Sequence, residues 1–536
     1  MTVAEIPGWA GGEEWSRAGW RAHLPGATDA EPWGDTTVPA LAAESADRAP
    51  DRVAVSIDGE PITHGELDAD AARTAGWLAR RVRPGDRLLL AAGSSLGFVR
   101  WYLGALRAGA VVVLANPGYT APELAHLVAD SGAAIAVAGP GSRRLLAALP
   151  DPPLTVDVRD LPTGAPRHAG ASIRARAGDV AVLAYTSGTT GRPKGAPLTH
   201  RQLATSIRSA MAAWRWSPDD VLVHALPLFH QHGLGGVHAA LVAGGTAHVR
   251  TKFRPEDLVE LAGATHASIL FGVPTVYQAL LNAATRPTPT TAAIRHSGEL
   301  RSQAQFRLAV CGSAPLSPEL AEQLATVLGQ VPLIRYGTTE TGLNVSNTLD
   351  DRHGDTVGVP LPGVLARVWS GEREAAPGED GEIQLRGPQV FGGYWSDPAA
   401  TAAAFTGDGW FRTGDIGCVD PATGHLVIRG RSKELIITGG LNVYPREVEI
   451  ALESHPGVSE AAVAGLPHDR WGEQVTAWVV MRPGHAFDEA RLIAHARGLL
   501  VAYKCPKQVL ELAALPRNHV GKVVRGALTG EALPPR

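Results

Sequence analysis

The stretch Tyr185–Gly195, YTSGTTGRPKG, decides the fold of this 536-residue chain and the place of its chemistry. The apolar run Val180–Ala184 before it predicts a buried strand, and the spacing of Thr199 and Gln202 after it predicts a helix start. Glycines let backbone N–H groups approach an anion, and hydroxyls with a lysine ammonium add further donors. The stretch therefore predicts a strand, loop and helix that together hold phosphate.

Two other interpretations of this loop fit its surroundings less well. A flexible linker of Gly, Ser and Thr rarely lies between a buried strand and a capped helix. A P-loop needs the pattern G-x-x-x-x-G-K-[ST], whereas here Pro193 precedes Lys194 and Gly195 follows it. We therefore predict a different kind of phosphate-binding loop.

The composition is that of a globular protein, with 45% hydrophobic and 19% charged residues. The length predicts at least two domains, and a formal net charge of -4 argues against a nucleic-acid partner. The three cysteines are far apart in the sequence, which is typical of reduced thiols. No secretory pattern and no apolar run of the ~20 residues that span a bilayer is present, so we expect a cytoplasmic protein without a transmembrane segment.

Alternating strand and helix patterns begin near Val38 and predict an α/β fold with a mostly parallel sheet. Short strands broken by Gly and Pro between residues 358 and 395 predict a small antiparallel subdomain. Residues 1–35, which hold four tryptophans, are expected to be an irregular extension that packs through its aromatic rings. Residues 139–178 are rich in Pro and Gly and are interpreted as a surface connection.

Three further segments carry residues suited to nucleotide chemistry. The segment Leu226–Gly236, LPLFHQHGLGG, places two histidines beside glycines. The strand predicted at Leu308–Cys311 runs into the small residues Gly312–Pro315, where adenine could lie against the backbone. The segment Tyr336–Glu340, YGTTE, offers an aromatic ring for a base and a carboxylate for magnesium.

Together these motifs resemble those of the adenylate-forming superfamily, which comprises acyl- and aryl-CoA synthetases, adenylation domains and firefly-type luciferases. Matching motifs follow one another in the expected order from Tyr185 to Lys522. Within the superfamily, the segments RYGTTETGLNVSN, GVPLPGV and TGGLNVYPREVE most resemble malonyl-CoA synthetases.

The resemblance implies an acid–thiol ligase that uses ATP, Mg²⁺ and coenzyme A. A small carboxylic acid would first form an acyl-adenylate and then a thioester. The acceptor could instead be a carrier-protein thiol or an amine, or the chain could be a binding relative without catalysis.

The resemblance to this superfamily also implies a domain organisation. A large N-terminal domain, residues 1–430, would consist of mostly parallel layered α/β subdomains plus the small antiparallel subdomain. A hinge at 431–433 would join it to a small mobile α+β lid, residues 434–536.

The resemblance assigns roles to individual residues. Lys522 would bridge the acid and the α-phosphate, Lys433 would be the hinge, and His230 would lie between the acyl pocket and the path of the thiol, whereas His232 is interpreted as structural. Glu340 and Thr186 would bind the metal, with Gly439, Gly440 and Leu441 along coenzyme A. The implied ATP-binding residues are Thr186, Ser187, Gly188, Thr189, Thr190, Gly191, Lys194, Gly312, Ser313, Ala314, Pro315, Tyr336, Gly337, Thr338, Thr339, Glu340, Asp415, Arg431 and Lys522.

Two positions bear on the acid. Arg335 matches an arginine that the malonate branch retains, but Ala279 stands where that branch generally has a second arginine. Losing a charge that pairs with a buried carboxylate is costly, which argues against malonate. A monocarboxylate of short to medium length, an aryl acid and a malonate-like acid all remain open.

Overall fold

The computed structural model describes residues 11–25, 35–162, 173–186, 193–285, 306–314, 316–438, 441–468, 471–500, 502–518 and 521–530. Within these ranges the strands form four sheets, and helices cover the two largest. Among the same residues, no helix combines the length and the apolar character needed to cross a membrane.

The described helices are α1 (Gly12–His23), α2 (Val38–Arg48), α3 (His64–Leu78), α4 (Leu96–Ala108), α5 (Ala121–Ser131), α6 (Pro140–Ala147), α7 (His200–Ala213), α8 (Gln231–Ala243), α9 (Pro255–Ala264), α10 (Pro274–Thr285), α11 (Pro318–Leu328), α12 (Pro398–Ala404), α13 (Pro445–Glu453), α14 (Glu489–Leu499) and α15 (Gly526–Thr529).

The described strands are β1 (Val53–Ile57), β2 (Glu60–Thr63), β3 (Arg87–Ala91), β4 (Val111–Leu114), β5 (Ile135–Ala138), β6 (Leu154–Asp157), β7 (Val180–Thr186), β8 (Lys194–Thr199), β9 (Val221–His224), β10 (Thr246–Val249), β11 (Ile269–Gly272), β12 (Leu308–Cys311), β13 (Leu333–Thr338), β14 (Gly342–Ser346), β15 (Val359–Pro360), β16 (Leu365–Ser370), β17 (Arg373–Glu374), β18 (Gly381–Arg386), β19 (Phe411–Val419), β20 (Leu426–Arg431), β21 (Ile436–Thr438), β22 (Leu441–Val443), β23 (Val458–His468), β24 (Gly472–Met481) and β25 (Gln508–Glu511).

The first large sheet has the strand order β6-β5-β3-β4-β7-β8. Its strands are parallel except for β8, which runs antiparallel to β7. Strands β4 and β5 are buried along their whole length, as expected for strands covered on both faces. The predicted α/β fold with mostly parallel strands is confirmed.

The second large sheet has the order β15-β14-β13-β12-β11-β9-β10-β1-β2. The strands from β13 to β1 are parallel, whereas β14, β15 and β2 add antiparallel edges. The carboxyl ends of β9, β11, β12 and β13 therefore meet at one edge. This is the edge where α/β sheets bind ligands.

The third sheet, β17-β16-β18-β19-β20, is antiparallel throughout and confirms the predicted antiparallel subdomain. The fourth sheet follows the three-residue 3-10 turn Ser432–Glu434. It contains β21 to β25 with α13 and α14 packed on it.

Three local predictions were wrong. The phosphate loop does not lead straight into a helix, because the chain first returns as strand β8 and α7 begins only at His200. Residues 139–178 contain α6 and β6 in their described part.

The third error concerns residues 1–35, which are not irregular throughout, because Gly12–His23 form α1. This helix is stabilised by tertiary contacts: the Trp15 Nε1–H donates to Gly424 O at 2.8 Å and the Trp20 Nε1–H to Val364 O at 2.8 Å.

Candidate active site

The candidate active site lies where the β13–β14 hairpin meets the antiparallel sheet. Side chains alternate along a strand, so Tyr336 and Arg335 on β13 point to opposite sides. Gly337 makes the hairpin possible, because a Cβ at that position would lie 2.1 Å from Gly342 O. The hairpin thus places an aromatic ring and a cation on two sides of one strand end.

Asp415 is the centre of a three-residue hydrogen-bonded group. The Tyr336 hydroxyl donates to Asp415 Oδ2 at 2.6 Å, and Arg431 Nε donates to Asp415 Oδ1 at 3.0 Å. Asp415 on β19 and Arg431 on β20 are also paired across the sheet. Burial, with the charge of Asp415, raises the pKa of Tyr336 far above its usual value, so the phenol stays protonated and donates.

A second group surrounds Glu340, which follows β13. The Tyr394 hydroxyl donates to Glu340 Oε1 at 3.0 Å, and burial with the charge of Glu340 raises the pKa of Tyr394. The Lys194 ammonium lies 5.4 Å from the centre of the same ring. A lysine next to the phosphate loop and the predicted metal ligand therefore share one tyrosine.

The end of the phosphate loop is anchored by contacts on both sides. Thr186 and Lys194 are paired across β7 and β8, and Thr186 Oγ1 donates to Lys194 O at 3.4 Å. The Trp395 N–H donates to Gly195 O at 2.8 Å, while His126 Nε2 lies 3.1 Å from Pro193 O. These contacts fix the two ends of the predicted phosphate loop.

Arg335 lies on the other side of β13, against the small-residue loop. A Cβ on Gly312 would lie 2.5 Å from Arg335 Nε, so only glycine leaves room for this guanidinium. Burial lowers the pKa of Arg335 to about 10. Among the described residues, none forms a hydrogen bond or an ion pair with its guanidinium, so its counter-charge must come from elsewhere.

His232 lies close to this arginine, and His230 lies close to His232. His230 is the N-cap residue of α8 and its ring contacts Phe229, with 4.7 Å between ring centres. His232 Nδ1 lies 3.0 Å from Ser313 Oγ, and Ser313 has a left-handed backbone with φ 70°. Burial, with the charges of Arg335 and nearby histidines, lowers the pKa of His232 well below its usual value, so this ring is neutral near pH 7.

Lys522 reaches this site from the C-terminal part of the chain. It lies on a turn in which Asn518 N donates to Lys522 O at 2.8 Å and Lys522 N donates to Asn518 Oδ1 at 2.9 Å. The side chain is exposed, yet desolvation and the charge of Arg431 lower its pKa, while Asp415 acts in the opposite direction. Lys522 is therefore near the group centred on Asp415.

The turn that carries Lys522 is linked to the segment preceding the fourth sheet. Arg525 Nη1 donates to Glu434 Oε2 at 2.7 Å, and Arg525 Nη2 donates to Glu449 Oε1 at 2.6 Å. Gly521 lies next to the first turn of α10, where a Cβ on it would be 3.6 Å from Thr275 Oγ1.

Some predicted site residues lie outside the described part of the chain. They are Ser187, Gly188, Thr189, Thr190, Gly191, Pro315, Gly439 and Gly440. The backbones of Lys433 and Leu441 are described, in the 3-10 turn and in β22, but their side chains are not.

The remaining predicted residues lie along the ends of neighbouring strands. Thr339 O accepts a hydrogen bond from Gln231 Nε2 at 3.0 Å, and Thr338 Oγ1 lies 2.9 Å from Thr341 Oγ1. Ala314 follows Ser313 in the small-residue loop. Ala279 lies one helical turn after Thr275 on α10 and therefore on the same side of that helix.

Sequence reasoning missed three residues that contact this site. His232 was interpreted as structural, although it contacts Ser313 and its pKa responds to Arg335. Gln231 and Tyr394 were given no role, although they hydrogen-bond to Thr339 and Glu340. The aromatic residues of the GGYW segment were visible in the sequence, but their partners were not.

The fold and the site define the class: a mostly parallel α/β protein with a small antiparallel sheet, in which Lys522 of the C-terminal part lies near the group centred on Asp415. Residues 42–395 match the AMP-binding enzyme family, and residues 447–522 match the AMP-binding enzyme C-terminal domain. The chain belongs to the AMP-binding enzyme family. The predicted superfamily is thereby confirmed.

Known relatives narrow the class further. The feruloyl-CoA synthase of Amycolatopsis sp is 36% identical over 502 residues, which are 89% of this chain and 95% of that protein. The mitochondrial malonate–CoA ligase ACSF3 of Homo sapiens is 32% identical over 499 residues, 86% of this chain and 85% of that protein. The crystal structure of ATP-bound MatB from Rhodopseudomonas palustris is 38% identical, has a TM-score of 0.84 and covers 92% of this chain and 99% of that chain.

Proposed function

We propose that this protein is an ATP-dependent acid–CoA ligase that forms an acyl-adenylate and then an acyl-CoA thioester. The observation that carries the proposal is that Lys522 lies near enough to the hydrogen-bonded group of Tyr336, Asp415 and Arg431 for the charges of Arg431 and Asp415 to shift its pKa. A ligase of this type must hold two anions together, and a cation from a second part of the chain serves that purpose. The relatives include CoA ligases for different acids.

In the first half-reaction, a carboxylate oxygen of the acid attacks the α-phosphorus of ATP. The bond to the pyrophosphate oxygen breaks, and acyl-adenylate and pyrophosphate are formed. Lys522 neutralises charge between the acid and the α-phosphate, and Lys194 with the phosphate loop binds the phosphates that leave. The Asp415 carboxylate, with its two oxygens, suits the two ribose hydroxyls, with Tyr336 and Arg431 holding it in place.

The donor set at Glu340 fits a magnesium ion. Magnesium prefers oxygen ligands, and Glu340 and Thr186 offer a carboxylate and a hydroxyl. Among the described residues, only Tyr394 hydrogen-bonds to the Glu340 carboxylate, through Oε1, so Oε2 remains for a cation. When bound, Mg²⁺ neutralises negative charge on the phosphates. Tyr394 then holds the carboxylate in one orientation.

In the second half-reaction, the thiol sulfur of coenzyme A attacks the acyl carbonyl carbon and AMP leaves. Lys522 has no evident role in this step, so we propose that residues 434–536 act as a lid that turns about the hinge 431–433 on a domain of residues 1–430. Lys433 would be the hinge residue, and Gly439, Gly440 and Leu441 would line the pantetheine arm, where missing side chains leave room. His230 would border the path of the thiol.

The environment of Arg335 favours an acid substrate that carries a second anionic or strongly polar group. Its partly buried guanidinium has no counter-charge among the described residues, which favours a ligand that supplies one. Ala279 lies on the side of α10 that meets the Lys522 turn, but it offers no second cation. A short acid with one additional polar group, malonate included, satisfies Arg335 alone.

The test is a panel of malonate, butyrate, benzoate and ferulate, assayed for AMP release with and without coenzyme A. The proposal predicts release of AMP with at least one acid and thioester formation that requires coenzyme A. If AMP and pyrophosphate form without CoA-dependent turnover, the acceptor is a carrier-protein thiol or an amine. If no acid of any class supports cleavage of ATP to AMP, the chain is a binding relative and the proposal fails.

Arg335→Gln, assayed on the same panel, tests which class of acid the pocket binds. If Arg335 pairs with a second carboxylate, the KM for malonate rises by about 10- to 100-fold, as for a lost hydrogen bond to a charged group. The KM for butyrate should then change little. Ala279→Arg is the reciprocal variant and should favour malonate over butyrate. Equal effects of Arg335→Gln on both acids would contradict pairing with a distal carboxylate.

A further inference from the structure

Asp351, His353 and His425 form a cluster separate from the nucleotide cleft. His425 directly precedes β20 and Arg431 ends it, so about 20 Å of extended strand separates the cluster from the site. His353 Nε2 lies 2.8 Å from Asp351 Oδ1, and His425 Nε2 lies 3.3 Å from Asp351 Oδ2. The potential ligand atoms of all three residues lie within 4.8 Å of one another.

The ligand-bearing segments are held in place by neighbouring hydrogen bonds. His425 Nδ1 lies 3.0 Å from Thr356 Oγ1, which orients the ring with Nε2 towards Asp351. Asp351 N donates to Thr348 Oγ1 at 2.9 Å, and His353 N donates to Asn347 Oδ1 at 3.0 Å. A partner on the second ring nitrogen is what metal-binding histidines usually have.

The cluster is open to solvent at Asp351 and His353 and buried at His425. The His425 side chain is 3% exposed, whereas that of Asp351 is 58% exposed. The two imidazole rings meet edge to face, with their centres 4.8 Å apart and an angle of 89°. An ion could therefore enter at Asp351, and water could complete its coordination.

The geometry points to a binding site for one divalent transition-metal ion, with Asp351 Oδ, His353 Nε2 and His425 Nε2 as ligands. Two imidazole nitrogens and one carboxylate oxygen suit Zn²⁺, which binds three such ligands and a water. Magnesium and calcium prefer all-oxygen sites and are poor candidates. The alternative is that no metal binds and that the two histidines only hydrogen-bond to the Asp351 carboxylate. The experiment below distinguishes the metal site from this alternative.

The position of the cluster gives the metal a structural role. Residues 347–358 follow β14 of the hairpin that carries Tyr336, and His425 belongs to the turn before β20, which carries Arg431. Backbone bonds already join the two segments, from Val357 N to Leu426 O at 2.9 Å and from Leu426 N to Gly358 O at 2.7 Å. A metal here would fasten the hairpin to the antiparallel sheet, and it would raise thermal stability without taking part in the reaction.

The test is a Zn²⁺ titration of the untagged, chelator-treated full chain by calorimetry, with a Co²⁺ titration followed by visible absorption. We expect one tight equivalent of Zn²⁺ and a cobalt spectrum typical of mixed nitrogen and oxygen ligands. His353→Ala and Asp351→Asn should each weaken Zn²⁺ binding by at least about 100-fold, and Thr356→Val by about 10- to 100-fold.

Two matched variants control for the loss of a histidine or an acid elsewhere. Asp355→Asn removes an exposed carboxylate from the same loop, and His485→Ala removes an exposed imidazole from the C-terminal part. Both should bind Zn²⁺ as the wild-type chain does. Because none of these variants touches Glu340, zinc bound at the proposed magnesium site would be unaffected by them. Wild-type affinity in His353→Ala and Asp351→Asn, or no tight equivalent in the wild-type chain, would overturn the proposal.

Discussion

The two parts of the chain contribute to the site in different ways. In the N-terminal part, Tyr336, Asp415 and Arg431 are joined by hydrogen bonds of 2.6 and 3.0 Å and are fixed before any substrate binds. In the C-terminal part, Lys522 lies on a short turn, and none of the described residues bonds to its ammonium. The contrast is between a hydrogen-bonded group, which we propose binds the nucleotide, and a lysine that a separate element of the chain carries.

Of the substitutions that test this comparison, Lys522→Ala should have the largest effect on the reaction rate. We expect acyl-adenylate formation to fall by about two to three orders of magnitude, because one charge contact in the transition state is lost. Thioester formation from supplied acyl-adenylate should be preserved. Pyrophosphate exchange and single-turnover thioester assays measure the two halves separately.

Lys507→Ala is the matched control, because Lys507 lies in the same part of the chain and its ammonium donates to Ala502 O at 2.8 Å. It should leave both half-reactions unchanged. Equal loss of both half-reactions in Lys522→Ala would contradict the proposed division of labour.

Asp415→Asn should weaken the hydrogen bonds that join Tyr336, Asp415 and Arg431. The substitution removes the charge that pairs with Arg431, and we expect the KM for ATP to rise by about 10- to 100-fold. The control is Glu379→Gln in the same subdomain, because its ion pair with Arg373 lies at the surface and surface ion pairs contribute little. An unchanged KM for ATP would show that Asp415 does not contact the nucleotide.

Tyr394→Phe should have a smaller effect on the metal requirement. Losing the hydroxyl bond to Glu340 should raise the Mg²⁺ concentration needed for half-maximal rate by about 2- to 10-fold. The measurement is the adenylation rate against Mg²⁺ concentration, with Tyr503→Phe from the C-terminal part as control. A change in maximal rate alone would show that Tyr394 does not orient the metal ligand.

The smallest expected effect concerns pH. Lys522 acts as a cation, so kcat/KM for adenylation should fall as pH rises through its pKa, which desolvation and then Arg431 lower below the usual lysine value. Arg431→Gln removes a positive charge and should move this alkaline limb to higher pH, although burial still lowers the pKa. Arg412→Gln, an exposed arginine on the same sheet, should not move it. A shift to lower pH would contradict the proximity of Arg431 and Lys522.

Local signals predicted the elements that local interactions stabilise. The capping boxes at Thr63, Thr120 and Thr199 each begin a helix where the spacing predicts one. Strand β12 has the predicted bounds, because a short apolar run must be buried. The helix starts depend on few residues beyond their own segment.

Elements that depend on their place in the tertiary structure were not predictable in this way. Strand β8 contains Pro197, which is unusual within a strand, and it forms at a sheet edge where it pairs only with β7. Helix α1 is anchored through Trp15 to a residue 409 positions away. No window of neighbouring residues contains the partner of Trp15.

The sequence by itself determined the family, the order of the motifs and the identity of the charged groups, because phosphate and carboxylate chemistry restricts which residue types can serve. Only the tertiary structure decided that Tyr336 donates to Asp415, that Tyr394 joins Lys194 to Glu340 and that Arg335 has no counter-charge among the described residues. These pairings join segments that are tens to hundreds of residues apart. They exist because the packing of the sheets fixes which strand ends meet, which a pattern of residue types does not encode.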